Sequence, residues 1–236
     1  MTLVLWTARE GAPQDVLRAR AGGVLLDAVS VATDFSAAAS VDAALTHRLG
    51  GRAMRDAYLA LTTEARGIDM AVWSCLERLW RQGRRAGGDL ADECVGRVFH
   101  AARRAAREYD RWMGVARFQD VGGAYYAAVD PECDVLPILA DHFARRLPDR
   151  WVLHDVRRGR AALHEGGRWV IAEGVRERDA PQVTAEERQF QSLWRQFFRS
   201  IAVRERKNPR CQRNFLPKRL WRCLVEEVEV CGEDGA

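Results

Sequence analysis

After Gly114 the hydrophobic pattern of this chain changes period, and that change limits the folds open to it. Before Gly114, apolar residues recur at helical spacing. Met54–Glu64 reads as one helix. Val72, Trp73, Leu76, Leu79 and Trp80 share one side of a second, which Asp69 would cap and Gly83 would close. Residues 90–112 continue as a long third helix, with Arg103, Arg107 and Arg111 along its polar face and Glu108 and Asp110 offsetting part of the charge. Beyond Gly114 the alternation is two-residue. Val115–Asp120 and Ala124–Val129 read as a hairpin around Gly122-Gly123. Trp151–Val156, Ala161–Glu165 and Arg168–Ala172 read as three further strands, with Arg157–Arg160 and Gly166-Gly167 as their turns. A helix carrying Leu136, Leu139 and Phe143, with Asp134 as its cap, stands between the two groups. The order is β-β-α-β-β-β, and the short turns make the sheet mostly antiparallel.

The first residues are read more coarsely: strands at 3–7 and Val24–Val31, a helix over Pro13–Arg20, and another from Ser40 or Asp42 to Leu49. The expected class is α+β. A mainly helical part with short strands spans 1–112; 113–236 holds the sheet and two C-terminal helices. At 236 residues the two parts can share one core and form one compact unit.

The second constraint is charge. Thr184 to Arg222 holds eleven Lys and Arg against three acids, a balance of +8 in a chain whose net charge is +4. The basic character is therefore local, as expected of a surface that meets phosphates. Within this stretch Thr184 and Glu187 have capping-box spacing. Phe190, Leu193, Trp194, Phe197, Phe198 and Ile201 form one apolar helical face. Asn208-Pro209 ends that pattern. Pro217 would start a second helix, with Leu220, Trp221, Leu224, Val225 and Val228 as its stripe. Arg204 to Lys218 therefore reads as a polar, cationic connector held between two core-anchored helices. Its candidate contacts to nucleic acid are Arg204, Arg206, Lys207, Asn208, Arg210, Gln212, Arg213, Lys218 and Arg219. The chain's two lysines, Lys207 and Lys218, both fall here, against 35 arginines in all.

Several classes are excluded by what the sequence lacks. The six cysteines form no CxxC, CxxxC or CxxH pair, so no metal, cluster or other cofactor is expected. No phosphate-binding loop, dinucleotide fingerprint, HExxH or GxSxG motif occurs. No apolar run is long enough to span a bilayer and no signal peptide is recognisable, so the expected location is cytoplasmic. With 47% hydrophobic and 30% charged residues, wholesale disorder is excluded too.

What remains for chemistry is histidine. Asp141-His142 and His154-Asp155 are adjacent acid–base pairs, each able to orient its imidazole, and His164 follows. Tyr125-Tyr126 lie side by side on a strand, so one of them must face outward, where it can stack on a base.

The segment MGVARFQDVGGAYYAAVDPECDVLPILADHFARRLPDRWVLHD and the segment WRQFFRSIAVRERKNPRCQRNFLPKRLW resemble a bacterial family of DNA-repair or DNA-metabolism proteins whose biochemical function is unassigned. The resemblance is clear from about residue 95 to 226. Its pattern falls on Arg206, Asn208, Pro209, Gln212, Pro217, Arg219 and Trp221, with Tyr125-Tyr126 and His154-Asp155 matching as well. This chain departs from the pattern at Leu220, where an aromatic residue is usual, and at His164, where tyrosine is common. The resemblance implies a partner: a radical SAM protein of DNA modification or repair, encoded beside family members. In some relatives a uracil-DNA-glycosylase-like domain is fused behind this one. Three readings follow. The first is a nucleic-acid-binding accessory factor in DNA repair or modification, with DNA as ligand and the radical SAM or glycosylase-type protein as partner. The second is an enzyme acting on DNA or a nucleotide through His154 and Asp155. The third is a protein–protein scaffold without DNA contact.

Overall fold

The computed structural model divides into two compact units, one ending at Arg107 and the other starting at Glu108, within the helical stretch that precedes Gly114. The structure describes residues 45–225, apart from 204, 205, 207, 209, 212, 213 and 215. The strands and helix expected over residues 3–31, and the start of the helix expected from Ser40 or Asp42, lie outside the described residues; residues 45–49 are helical.

In the first unit, helix α1 covers Gly51–Leu61 and α2 covers Ile68–Gln82. Their apolar positions are buried as the spacing requires, with Ala60, Val72, Leu76 and Leu79 all at 3% exposure or less. Asp69 does not cap α2. Gly67 takes that position in a left-handed conformation, φ 70°, leaving Asp69 in the first turn where its charge suits the helix dipole. Helix α3, Glu93–Val115, runs 23 residues and crosses from one unit into the other.

The second unit is built on a five-stranded sheet in the order β1-β2-β3-β4-β5. The strands are β1 Gln119–Asp120, β2 Tyr125–Val129, β3 Trp151–Asp155, β4 Arg160–Glu165 and β5 Arg168–Glu173. Three neighbouring pairs are antiparallel, and β2 runs parallel to β3. Helix α4, Leu136–Arg146, supplies the crossover that a parallel pair needs. The tight β4–β5 turn uses Gly166 and Gly167, both at positive φ (59° and 78°), the combination a two-residue hairpin turn demands. Leu136, Leu139 and Phe143 of α4 are buried with Ala127, Val129, Trp151 and Leu153 of the sheet. Asp134 is not the cap of α4, which begins after Val135; its carboxylate takes a 2.8 Å hydrogen bond from the Arg160 guanidinium instead.

Helix α5, Ala185–Ile201, follows. Thr184 caps it, its hydroxyl accepting from the Glu187 N–H at 3.1 Å. The second C-terminal helix is a six-residue 3-10 helix, Lys218–Cys223, entered from Pro217. Val228 lies outside the described residues. Among the described residues no helix is long and apolar enough to cross a membrane.

Candidate nucleic-acid interface

The apolar face of α5 is a correction to the sequence reading. The six residues do share one side of a helix, but it is not core. Phe190 is 60% exposed, Leu193 58%, Phe197 50% and Ile201 57%, and no residue of α5 is buried. The helix is held by its N-terminal half and by polar contacts. The Thr184 N–H donates to the Asp120 carbonyl at 3.0 Å, the Glu187 carboxylate accepts from the Asp120 N–H at 3.4 Å, and the Arg117 guanidinium lies 4.9 Å over the Trp194 ring. A buried stripe would make each truncation cost about 3–5 kcal/mol. On dilute protein, Phe190→Ala and Leu193→Ala are instead expected to change unfolding stability by less than about 0.5 kcal/mol each in a chemical-denaturation titration.

The connector leaves α5 with its cations outward. Arg206, Asn208, Arg210, Cys211 and Lys218 are exposed. The Asn208 side chain accepts from the Cys211 N–H at 2.9 Å, which fixes its amide locally. Arg204, Lys207, Gln212 and Arg213 lie outside the described residues. The far end is anchored firmly: Leu220 is fully buried, and the Trp221 indole N–H donates to the Leu216 carbonyl at 2.9 Å.

Arg219 is the exception among the expected phosphate contacts. Its guanidinium is directed inward, onto the Glu108 carboxylate at 2.7 and 3.0 Å, the Asp130 carbonyl at 3.2 Å and the Glu132 carboxylate at 3.3 Å. Glu108, expected to offset the charge of the polar α3 face, is only 4% exposed. It also accepts from the Trp112 indole and from the Glu132 N–H, each at 3.0 Å, and from Arg111 at 3.3 Å. Burial alone pushes this carboxyl up, but the Arg219, Glu132 and Trp112 donors outweigh it and hold the group below the usual carboxylate range.

The tyrosine pair divides as strand alternation requires. Tyr125 is 41% exposed, and Tyr126 is buried. The Tyr126 hydroxyl lies 2.7 Å from His154 Nδ1, and His154 Nε2 lies 3.3 Å from the Val175 carbonyl. A carbonyl only accepts, so Nε2 carries a proton; in the neutral imidazole Nδ1 then accepts and Tyr126 donates. Burial pushes the Tyr126 phenol up to about 12, with Glu177 and Cys223 adding to the effect, so the proton it donates is firmly held.

His154 and Asp155 do not orient each other. They are consecutive on β3, face opposite sides of the sheet and have separate partners. Asp155 accepts from the Arg157 and Arg158 N–H groups at 3.0 and 3.1 Å and from the Arg158 guanidinium at 3.1 Å, closing the β3–β4 turn. Its burial raises the carboxyl above the usual range, against the pull of Arg158. Asp141 and His142 are likewise separate: Asp141 accepts from the Trp169 indole at 2.9 Å, and His142 sits edge-on to Tyr109 and Phe143. His164 stacks on Trp151 at 4.8 Å and bonds the Asp149 carbonyl at 2.8 Å through Nδ1. Among the described residues no three His, Cys, Asp or Glu side chains are grouped so as to hold a metal ion.

No curated protein and no solved structure matches the chain. A family model matches residues 66–226, from α2 through β5 and α5 to the connector, and the chain belongs to the family it describes, a domain of unknown function (DUF4130).

Proposed function

We propose that the chain is a nucleic-acid-binding accessory factor in DNA repair or modification, acting in the cytoplasm beside a catalytic partner. The observation that supports this most is the display of the connector. Its described cations Arg206, Arg210 and Lys218 face solvent, and its C-terminal end is held by Arg219 and Leu220. A held end keeps the cations beside it in place, so they meet a row of phosphates at lower entropic cost. Tyr125, exposed on β2, is available to stack on a base, and Asn208 to bond a base edge or the backbone. The radical SAM or glycosylase-type partner rests on the family resemblance alone. The test is fluorescence anisotropy of labelled single- and double-stranded DNA at about 50 mM salt, a condition in which a few phosphate contacts already hold. No binding by the intact chain sinks the proposal.

The enzyme reading has less to draw on, because the hydrogen-bonding groups of Tyr126, His154 and Asp155 all have partners inside the fold. Asp155→Asn is expected to leave DNA affinity within about twofold of wild type, since this carboxylate closes a turn and faces away from His154. Turnover of a DNA substrate by the purified chain, abolished in Asp155→Asn, would reverse that order. The scaffold reading gains one observation, the exposed face of α5.

A further inference from the structure

Helix α3 carries a second group of cations. Arg97, His100, Arg103, Arg104 and Arg107 are exposed. At about 100° per residue they fall within an arc of about 120°. The opposite side of the helix buries Val95, Val98, Ala102 and Ala105. No acid occurs on α3 from Cys94 to Arg107. Arg111 lies on the same arc, but Glu108 takes it at 3.3 Å, so the row ends at Arg107.

Elsewhere in the fold arginines are neutralised by acids. Arg81, Arg157 and Arg158 each hold one carboxylate, and Arg78 and Arg160 each hold two. Along the row the contacts are of another kind. Arg97 donates to the Arg66 carbonyl at 3.1 Å, and Arg107 donates to the Arg103 carbonyl at 3.2 Å. The Arg103 guanidinium lies 5.6 Å over the Phe99 ring. None of these three holds a carboxylate among the described residues. Carbonyls and rings orient a guanidinium without cancelling its charge, so positive potential adds up along this face.

The row also shows what kind of anion fits it. One α-helix carries all three arginines, so their spacing along its axis is fixed, about 9 Å from Arg97 to Arg103 and about 6 Å from Arg103 to Arg107. Every exposed residue of α3 up to Arg107 is charged or histidine. A protein partner would need an apolar centre to the contact, and this face has none. It has no exposed ring on which a base could stack either, since Phe99 is half-buried beneath Arg103. A stiff polyanion met through its backbone is the ligand that needs neither.

We propose that Arg97, Arg103 and Arg107 form a second phosphate-binding surface, which takes the backbone of a nucleic-acid duplex. This rests on the nucleic-acid reading and adds to it a surface built from residues outside the connector. Each arginine engaged contributes about 0.9 to the duplex salt slope, so the three contribute about 2.7, on top of the connector's share.

Fluorescence anisotropy of the intact chain on labelled duplex across a salt series tests it. Arg97→Ala with Arg103→Ala and Arg107→Ala should lower the slope of log K against log salt by about 2.7. The loss of affinity between about 50 and 200 mM salt then becomes about 40-fold smaller. Lysine at the same three positions should keep most of the slope, because an ammonium also neutralises a phosphate. Arg145→Ala with Arg146→Ala and Arg168→Ala removes as much charge from exposed arginines off the row and should leave the slope unchanged. Melts of all these variants should stay near wild type, because the side chains are exposed and alanine favours a helix. A slope that falls with Arg206→Ala and Arg210→Ala but not with the α3 variant overturns the row and leaves the connector. A slope that falls with the α3 variant alone keeps the row and removes the connector. Equal losses from the α3 variant and the off-row variant overturn the proposal, since net charge would then be the cause. No duplex binding by the intact chain overturns it together with the nucleic-acid reading and leaves the row to an acidic protein.

Discussion

Arg219→Ala is expected to destabilise the second unit by about 3 kcal/mol or more, although arginine there looks from the sequence like a replaceable surface cation. The cause is what it leaves behind. Glu108 is 4% exposed, and removing its main counter-charge strands a carboxylate with only Arg111 at 3.3 Å and two neutral donors. Glu108→Gln removes the charge but keeps an acceptor for the Trp112 indole, so it should cost less. The double variant should cost less than the sum of the two singles, because the second change removes a charge that the first had orphaned. The acid limb supplies an independent check. Glu108 has its folded value depressed below an unfolded value of about 4.3. A depressed acid contributes stability that is complete above the unfolded value and is lost as pH falls through the folded one. Wild type should therefore lose stability more steeply than Glu108→Gln below about pH 4. Urea titrations at pH 7 and pH 3 decide both points. Equal stabilities for Arg219→Ala and wild type at pH 7 would show that the pair is idle.

That pair also marks where sequence reading stops. The helices and strands of the second unit are written in local periodicity, and the crossover helix between β2 and β3 announces itself through Leu136, Leu139 and Phe143. Periodicity says which residues share a face. It does not say what the face meets, and α5 shows the difference: its stripe is as regular as those of α1 and α2, yet it is exposed. Glu108 and Arg219 are 111 positions apart. The one local trace of their contact is Trp112, four residues after Glu108, where its indole reaches the same carboxylate. His154-Asp155 misleads for a related reason. Adjacency in sequence suggests a pair, but on a strand adjacent residues are the ones that point apart. The Tyr126–His154 bond joins residues 28 apart and becomes visible once β2 and β3 are known to run parallel, with Tyr126 opposite Val152 and Ala128 opposite His154. The basic connector was legible because charge is compositional; which of its members face inward was not.

This sorting of cations carries the largest effect expected of the proposed nucleic-acid surface. Each phosphate neutralised releases condensed counterions, at about 0.9 per contact on duplex and about 0.7 on a single strand. With four connector side chains engaged, log K should fall with log salt at slopes of about −3.6 and −2.8. Between 50 and 200 mM salt the affinity then drops about 150-fold on duplex and about 50-fold on a single strand. Arg206 and Arg210 are exposed and bear on this directly, and Lys218 lies 5.7 Å from the Trp221 ring with its ammonium in solvent. Arg206→Ala with Arg210→Ala should lower the duplex slope by about 1.8 and weaken binding alike for every sequence, while leaving the thermal melt unchanged. Arg219→Ala should do the reverse, lowering the melt and, at temperatures where the chain stays folded, leaving the slope alone, because its guanidinium is already committed to Glu108 and Glu132. Lys207, outside the described residues, is paired with it as a contrast: Lys207→Ala should remove about 0.9 from the slope at no cost in stability if it engages a phosphate. Anisotropy across a salt series, run beside melts of the same four proteins, separates the two kinds of cation. A slope untouched by the Arg206 and Arg210 changes would remove the connector as the phosphate surface, and a slope reduced by Arg219→Ala would mean that nucleic acid draws this arginine away from Glu108.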